Sequence, residues 1–207
     1  MSSKQPSQFS IHWEQKTQIA KNNDPQNMPT PRSGHTMSII GSNVFLFGGL
    51  KSCDNNSTHS EAHPTNESYL LKLQGENKEW MQLQPKDGDV IPCARWKHSA
   101  TQISASEILI FGGFTSMMDR LNDFWIFNAI TRRWTEVQLN KLHDREMDEE
   151  DRDEETWKIA PRGSHTANVC DNLVYIFGGH GGHEYERQNR NDLHIFDSKN
   201  LTCKEVR

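Results

Sequence analysis

Three apolar runs that each stop at a glycine pair constrain this chain more than any other feature. They are Val44-Phe45-Leu46-Phe47-Gly48-Gly49, Ile108-Leu109-Ile110-Phe111-Gly112-Gly113 and Leu173-Val174-Tyr175-Ile176-Phe177-Gly178-Gly179. The pairs recur at intervals of 64 and 66 residues, which points to an internal repeat. Flanking landmarks recur in the same order. An arginine stands three residues ahead of a histidine before each run, as Arg32/His35, Arg95/His98 and Arg162/His165. A second apolar segment follows each run and ends at Leu73, Phe127 or Phe196; seven residues further on stand Trp80, Trp134 and Cys203. Successive strand side chains alternate faces, so four apolar residues in a row mean a strand covered on both sides.

This combination resembles the kelch repeat: an Arg/His entry, an apolar strand ending in Gly-Gly, an Asn-Asp-hydrophobic strand and a closing Trp strand. The last copy reads Pro161-Arg162-Gly163-Ser164-His165, Phe177-Gly178-Gly179, Asn191-Asp192-Leu193-His194-Ile195-Phe196 and Thr202-Cys203-Lys204-Glu205-Val206. The resemblance covers roughly residues 31 to 207 and implies an all-β fold of kelch-type β-propeller blades, each a four-stranded antiparallel sheet. Two departures stand out: Cys203 stands where the closing Trp belongs, and the first copy lacks a clean Asn-Asp, offering Asn66-Glu67 out of register.

The organisation that follows is a flexible tail over 1–8, then a lone outer strand and linker over 9–30. Phe9 to Gln15 resembles the closing strands and would belong to a blade whose other strands lie elsewhere. Blade 1 covers 31–83, blade 2 92–137 and blade 3 161–207, with an acidic insertion over 138–160. The expectation is an incomplete ring of about three blades plus one extra N-terminal outer strand. Propellers close with about four to eight blades. The remaining blades are therefore expected from missing sequence of a longer protein, with a truncated product or a ring completed by another chain as alternatives. An open arc would expose apolar blade faces at both ends.

Composition narrows the function classes. One third of the 207 residues are hydrophobic and one quarter charged, a globular balance. Charge is uneven: residues 144–155 hold nine acids against Arg145 and Arg152, leaving the remainder slightly positive within a formal net charge of −5. No basic tract with interleaved aromatics argues for nucleic acid. No stretch approaches the roughly 20 apolar residues of a membrane helix. Cys53, Cys93, Cys170 and Cys203 are isolated, without paired zinc spacing. They read as reduced thiols of a cytoplasmic protein, with two disulfides the alternative that the count allows and nuclear or cytoskeletal association compatible.

Candidate chemistry is sparse. The glycine pairs and closing tryptophans read as scaffold. The Arg/His pairs fit either buried support of interblade turns or a cationic ring at the axis. His59, Glu61 and His63, or His180, His183 and Glu184, lack the spacing of a helical zinc site, so no metal and no cofactor is expected. Some kelch propellers are metal-dependent enzymes, which is the alternative reading. Only Tyr69, Tyr175 and Tyr185 could serve a copper radical site, and no histidine has the Asp four residues before it that the iron-dependent plant specifier proteins show. The expected function is therefore non-enzymatic protein–protein interaction by a scaffold or adaptor. In an antiparallel meander the loop after the glycines emerges on the same face as the link to the next blade. Loops 50–68, 114–121 and 180–190 and the insertion 138–160 would share that face. The partner-binding candidates are Asp148, Glu149, Glu150 and Asp151, which suit a basic segment, with His180, His183 and Arg187. The resemblance implies cytoskeletal or ubiquitin-ligase partners.

Overall fold

A computed structural model describes residues 18–20, 22, 24–51, 62–75, 78–140, 159–181 and 188–206. Within these, the chain forms three consecutive antiparallel blades. The segment opens with a short strand β1 (Gln18–Ala20) and a 3-10 turn over Pro25–Asn27. The first blade contains β2 (Arg32–Ser33), β3 (Thr36–Ile40), β4 (Asn43–Phe47), β5 (Leu50–Lys51), β6 (His63–Pro64), β7 (Ser68–Lys72) and β8 (Lys78–Leu83). Blade 2 contains β9 (Ser99–Gln102), β10 (Glu107–Phe114), β11 (Arg120–Asn128) and β12 (Arg133–Val137). Blade 3 contains β13 (Arg162–Gly163), β14 (Thr166–Cys170), β15 (Leu173–Phe177), β16 (His180–Gly181), β17 (Gln188–Asn189), β18 (Leu193–Asp197) and β19 (Thr202–Val206).

The blade sheets are the meanders β3-β4-β7-β8, β9-β10-β11-β12 and β14-β15-β18-β19. In blade 1, β1 adds in parallel to the outer edge of β8, with Gln18 opposite Lys78 and Ala20 opposite Trp80. The Phe9–Gln15 strand expected from the sequence lies outside the described residues.

Register shows that both apparent departures of the sequence keep their places. Ser68 pairs with Phe47, Phe124 with Phe111 and Leu193 with Phe177. The residues before them, Glu67, Asp123 and Asp192, are therefore equivalent, and Asn66-Glu67 is in register after all. The long loop before it concealed the alignment. Likewise Cys203 faces Phe196 as Trp134 faces Phe127 and Trp80 faces Leu71. Cys203 is buried in one cluster with Ile159 and Phe196, against which Leu139 and Leu201 pack. Burial also pushes its thiol pKa up to about 12, although Arg162 pulls the other way.

The core lies between blades. Phe45, Phe47 and Leu70 of blade 1 meet Ile108, Ile110, Trp125 and Phe127 of blade 2, with Phe45 stacked on Phe127 at 4.2 Å. Leu109, Phe111 and Phe124 of blade 2 meet Val174, Ile176 and Phe196 of blade 3, with Phe124 stacked on Phe196 at 4.8 Å. Trp134 packs against Phe45, Phe47 and Phe127, so the closing aromatics are core as expected.

Both ends of the arc expose apolar residues, as expected, but they are covered to different extents. On blade 1 the face away from blade 2 is covered in part: Leu46, Tyr69, Leu71 and Trp80 form a buried cluster against which Met28 packs, while Met37 and Ile39 of β3 on the same face are 49% and 63% exposed. The Asn27 side chain accepts a 3.1 Å hydrogen bond from the Gln82 amide and fixes that segment on β8. Among the described residues the outward face of blade 3 is open, with Phe177 51% exposed where Phe47 and Phe111 are each 1% exposed.

Candidate functional site

At each blade entry an arginine forms the same cluster. Arg95 donates both terminal nitrogens to the Asp123 carboxylate at 2.7 and 2.8 Å, and Nη1 also reaches the Gly112 carbonyl at 3.1 Å. Arg162 repeats this with Asp192 at 2.6 and 2.7 Å and the Gly178 carbonyl at 3.0 Å. Arg32 does so with Glu67 at 2.7 Å and the Gly48 carbonyl at 3.2 Å. Each arginine also gives Nε to the carbonyl two residues earlier, at Thr30, Cys93 and Ala160. A flat five-donor guanidinium suits this fork better than a lysine would. The Arg95 and Arg162 side chains are completely buried. Burial alone would raise the Asp192 pKa, but hydrogen bonds from Arg162 and His194 outweigh it and hold the carboxyl well below its usual range. Glu67 is lowered by the same competition, with Lys51 and Arg32 as donors. The arginines are thus consumed by scaffold and form no cationic ring.

The histidines act between blades. His98 Nε2 is 2.7 Å from the Thr36 hydroxyl of blade 1, and His165 Nε2 is 2.9 Å from the Ser99 hydroxyl of blade 2. Each ring also stands edge-on to the phenylalanine before the preceding glycine pair, His98 to Phe47 and His165 to Phe111. Burial, then Arg95, His165 and His35, lowers the His98 pKa to about 3; burial and Arg162 lower that of His165 to about 4. Both are neutral imidazoles at physiological pH.

The two glycines divide the remaining work. At Gly112 (φ +62°) a Cβ would lie 2.6 Å from the Arg162 carbonyl of the next blade, as one at Gly48 would from that of Arg95. At Gly113 (φ +104°) a Cβ would instead meet His98 Cβ and the Trp96 carbonyl of its own blade at 2.9 Å. The first glycine admits the neighbouring blade and the second admits its own entry strand. In blade 2 the pair does not end the strand, as the sequence suggested. β10 continues to Phe114 through a register shift between Phe111 and Gly113, a bulge that the short connection to β11 permits.

The loop face is built on these entries. β2 pairs with β5, which pairs with β6; β13 pairs with β16, which pairs with β17; Trp96 bridges Phe114. The connections after the glycines therefore emerge beside the blade-to-blade links, while tight turns such as Gly41-Ser42 lie opposite. On this face Lys97 and Arg120 flank the Phe114 ring at 5.8 and 5.1 Å. Met117 and Met118 project at the tip, 81% and 65% exposed. Of the partner-binding candidates, His180 lies on β16 with Nδ1 3.2 Å from Asn189 Oδ1. Asp148, Glu149, Glu150, Asp151, His183 and Arg187 lie outside the described residues, as do His59, Glu61, Glu184 and Cys53. Sequence reasoning missed the exposed Met117-Met118 tip, although two adjacent methionines between strands were visible. No helix among the described residues is long and apolar enough to cross a membrane.

The KLHDC2/KLHL20/DRC7 Kelch-repeats domain matches residues 34–207. The flagellar outer-arm dynein alpha chain of Chlamydomonas reinhardtii is 30% identical over 175 residues, which are 84% of this chain and 3% of the dynein chain. Human host cell factor 1 is 27% identical over 172 residues, 81% of this chain and 8% of that protein. Kelch domain-containing protein 2 of Bos taurus is 29% identical over 152 residues, 73% of this chain and 30% of that protein. The chain thus spans less than a third of the length of each of these relatives. Blade topology, the repeated arginine fork and the matched residues agree, and the chain belongs to the kelch-repeat family.

Proposed function

We propose that this chain is a non-enzymatic interaction module, a scaffold or adaptor that engages a partner protein with its loop face. One observation carries the reading. The recurring polar residues with site-like chemistry, Arg32, Arg95 and Arg162 with His98 and His165, are committed to scaffold, whereas the connections that differ from blade to blade emerge together on one face. Variable loops on a rigid repeat scaffold are the usual place for recognition. Kelch repeats are commonly protein-interaction modules, which supports the same reading.

The partner this composition fits carries a basic segment. Residues 144–155, including Asp148, Glu149, Glu150 and Asp151, supply concentrated negative charge on the link between blades 2 and 3. His180, His183 and Arg187 would contact the same partner from the blade 3 loop. A cytoplasmic protein of the cytoskeletal or ubiquitin-ligase systems is the class we favour. Affinity capture from cells identifies the partner, and deletion of 144–155 tests the contact. Binding should weaken by about tenfold and lose most of its salt dependence. An unchanged affinity would remove the acidic segment from the interface.

A further inference from the structure

The outer edges of the two internal joints are finished differently, although the turns that reach them are built alike. Asn128 Oδ1 accepts hydrogen bonds from the amides of Ile130 and Thr131, both at 3.0 Å. Asp197 Oδ1 accepts the same pair from Lys199 and Asn200, at 2.9 and 3.2 Å. Asn128 pairs with Arg133 as Asp197 pairs with Thr202, so Ile130 is equivalent to Lys199 and Arg132 to Leu201. Arg132 and Leu201 also share a left-handed backbone, with φ +58° and +53°. Only the side chains differ.

At the joint between blades 2 and 3, Leu201 packs against the core, as does Ile126. At the joint between blades 1 and 2 the equivalent of Ile126 is Leu70, since Leu70 faces Phe45 as Ile126 faces Leu109. There the equivalent of Leu201 is Arg132, which is exposed. The place is an open groove of about 260 Å³, with Leu70, Met81 and Ala129 as its apolar lining and Lys72, Glu79 and Arg132 as its charged one. Arg132 forms no ion pair among the described residues; its Nη1 stands 4.0 Å from Met81 Sδ. Arg133, by contrast, is taken up by Asp89 at 3.0 Å. Next to the groove Ile130 is 80% exposed where blade 3 has a lysine. The Asn128 carboxamide fixes that turn before any partner arrives, so little freedom is left to lose on binding.

We propose that this groove binds a segment of a partner protein that carries an aliphatic side chain next to an acidic one. The aliphatic group takes the place that Leu201 fills in the next joint and meets Ile130, and the carboxylate pairs with Arg132. The chain fills this place with its own leucine in one joint and leaves it open beside a solvent-facing isoleucine in the other, which sets the apolar chemistry of the occupant. Lys72 and Arg132 against Glu79 set the sign of its charge. The turn lies at the opposite end of β11 from loop 114–121. This surface is therefore separate from the loop face, and either assignment can fail without the other.

A random peptide library on phage, depleted on the Arg132→Leu chain and then selected on the unsubstituted full chain, tests the assignment. Enriched peptides should carry Leu, Ile or Met within about two residues of Asp or Glu, the reach of neighbouring side chains along an extended segment. The strongest of them, synthesised, should bind at least about tenfold more weakly to Arg132→Leu and to Ile130→Lys, as for substitutions at the centre of an interface. Neither substitution should lower the unfolding temperature, because Leu201 and Lys199 occupy the same backbone positions in blade 3. Deletion of 144–155 should leave this affinity unchanged, which separates the groove from the contact proposed for the acidic segment. No enrichment, or enriched peptides without the aliphatic–acidic pair, would overturn the proposal. So would an affinity indifferent to Ile130→Lys. A doubled mass of the unsubstituted chain in light scattering, abolished by Arg132→Leu, would also overturn it, since the occupant would then be a second copy.

Discussion

Blades 2 and 3 present the same corner to whatever follows them, Phe111-Gly112-Gly113 in one and Phe177-Gly178-Gly179 in the other. In blade 2 the phenylalanine is sealed beneath His165 and the first glycine lies against the Arg162 carbonyl. In blade 3 the same residues have their strand, their turn and their own arginine fork, but no neighbouring blade among the described residues. The difference separates two roles that sequence repetition merges. The arginine fork is internal to a blade, two-armed in blades 2 and 3 and one-armed in blade 1. The phenylalanine, the first glycine and the entry histidine serve the joint, so their energetic weight depends on whether a neighbour is present.

The largest effect should come from the part that does not depend on position. Arg95→Met and Arg162→Met each remove a fully buried guanidinium and strand a part-buried carboxylate and two carbonyls, and each should cost about 2–4 kcal/mol in chemical denaturation, somewhat below the loss for a fully buried pair. The two values should agree although one blade is sandwiched and the other terminal. A much smaller loss at Arg162 would break the claim that the fork is internal. Gly112→Ala and Gly178→Ala sharpen the contrast. Both carry the left-handed backbone penalty of about 1–2 kcal/mol, but only Gly112→Ala drives a methyl into a neighbouring carbonyl, adding about 1–3 kcal/mol by overpacking. Equal losses would mean that blade 3 is as enclosed as blade 2.

Acid titration gives a smaller effect with a defined sign. His98 and His165 have pKa values of about 3 and about 4 in the fold against 6.5 when free. The unfolded chain therefore binds protons first as pH falls below about 6.5. Stability should be level above pH 7 and decline between 6.5 and 4, by on the order of 1–2 kcal/mol per histidine at pH 5. Asp192 and Glu67, whose pKa values are lowered, add to the loss only at still lower pH. His165→Gln should remove its share of the slope; a slope unchanged in that variant would show that the imidazole is not held neutral by the joint.

Much of this fold was legible in the chain because kelch landmarks are local. Four apolar residues before a glycine pair specify a strand with two faces to hide, and an arginine three residues before a histidine marks the entry. The register of Asn66-Glu67 was not legible, because the long preceding loop shifts the spacing while strand pairing with Phe47 restores it. Nor was the bulge at Gly112-Gly113, since whether a strand ends or bends there depends on the length of the hairpin beyond. The partial cover on the outer face of blade 1 escaped the sequence for a different reason. That Met28 packs on the outer face of blade 1 follows from tertiary contact, and a polar lead-in rich in Gln and Asn gave no sign of it. The loop face followed from meander geometry alone, but its chemistry rests on residues whose partners no repeat pattern encodes.

The most direct test is the pair Phe111→Ala and Phe177→Ala in the isolated chain, compared by thermal unfolding. The account predicts a loss of about 3–5 kcal/mol for Phe111→Ala, the usual result for a buried phenylalanine, and less than about 1 kcal/mol for Phe177→Ala, as at an exposed site. Equal large losses would contradict it, because blade 3 would then already be covered.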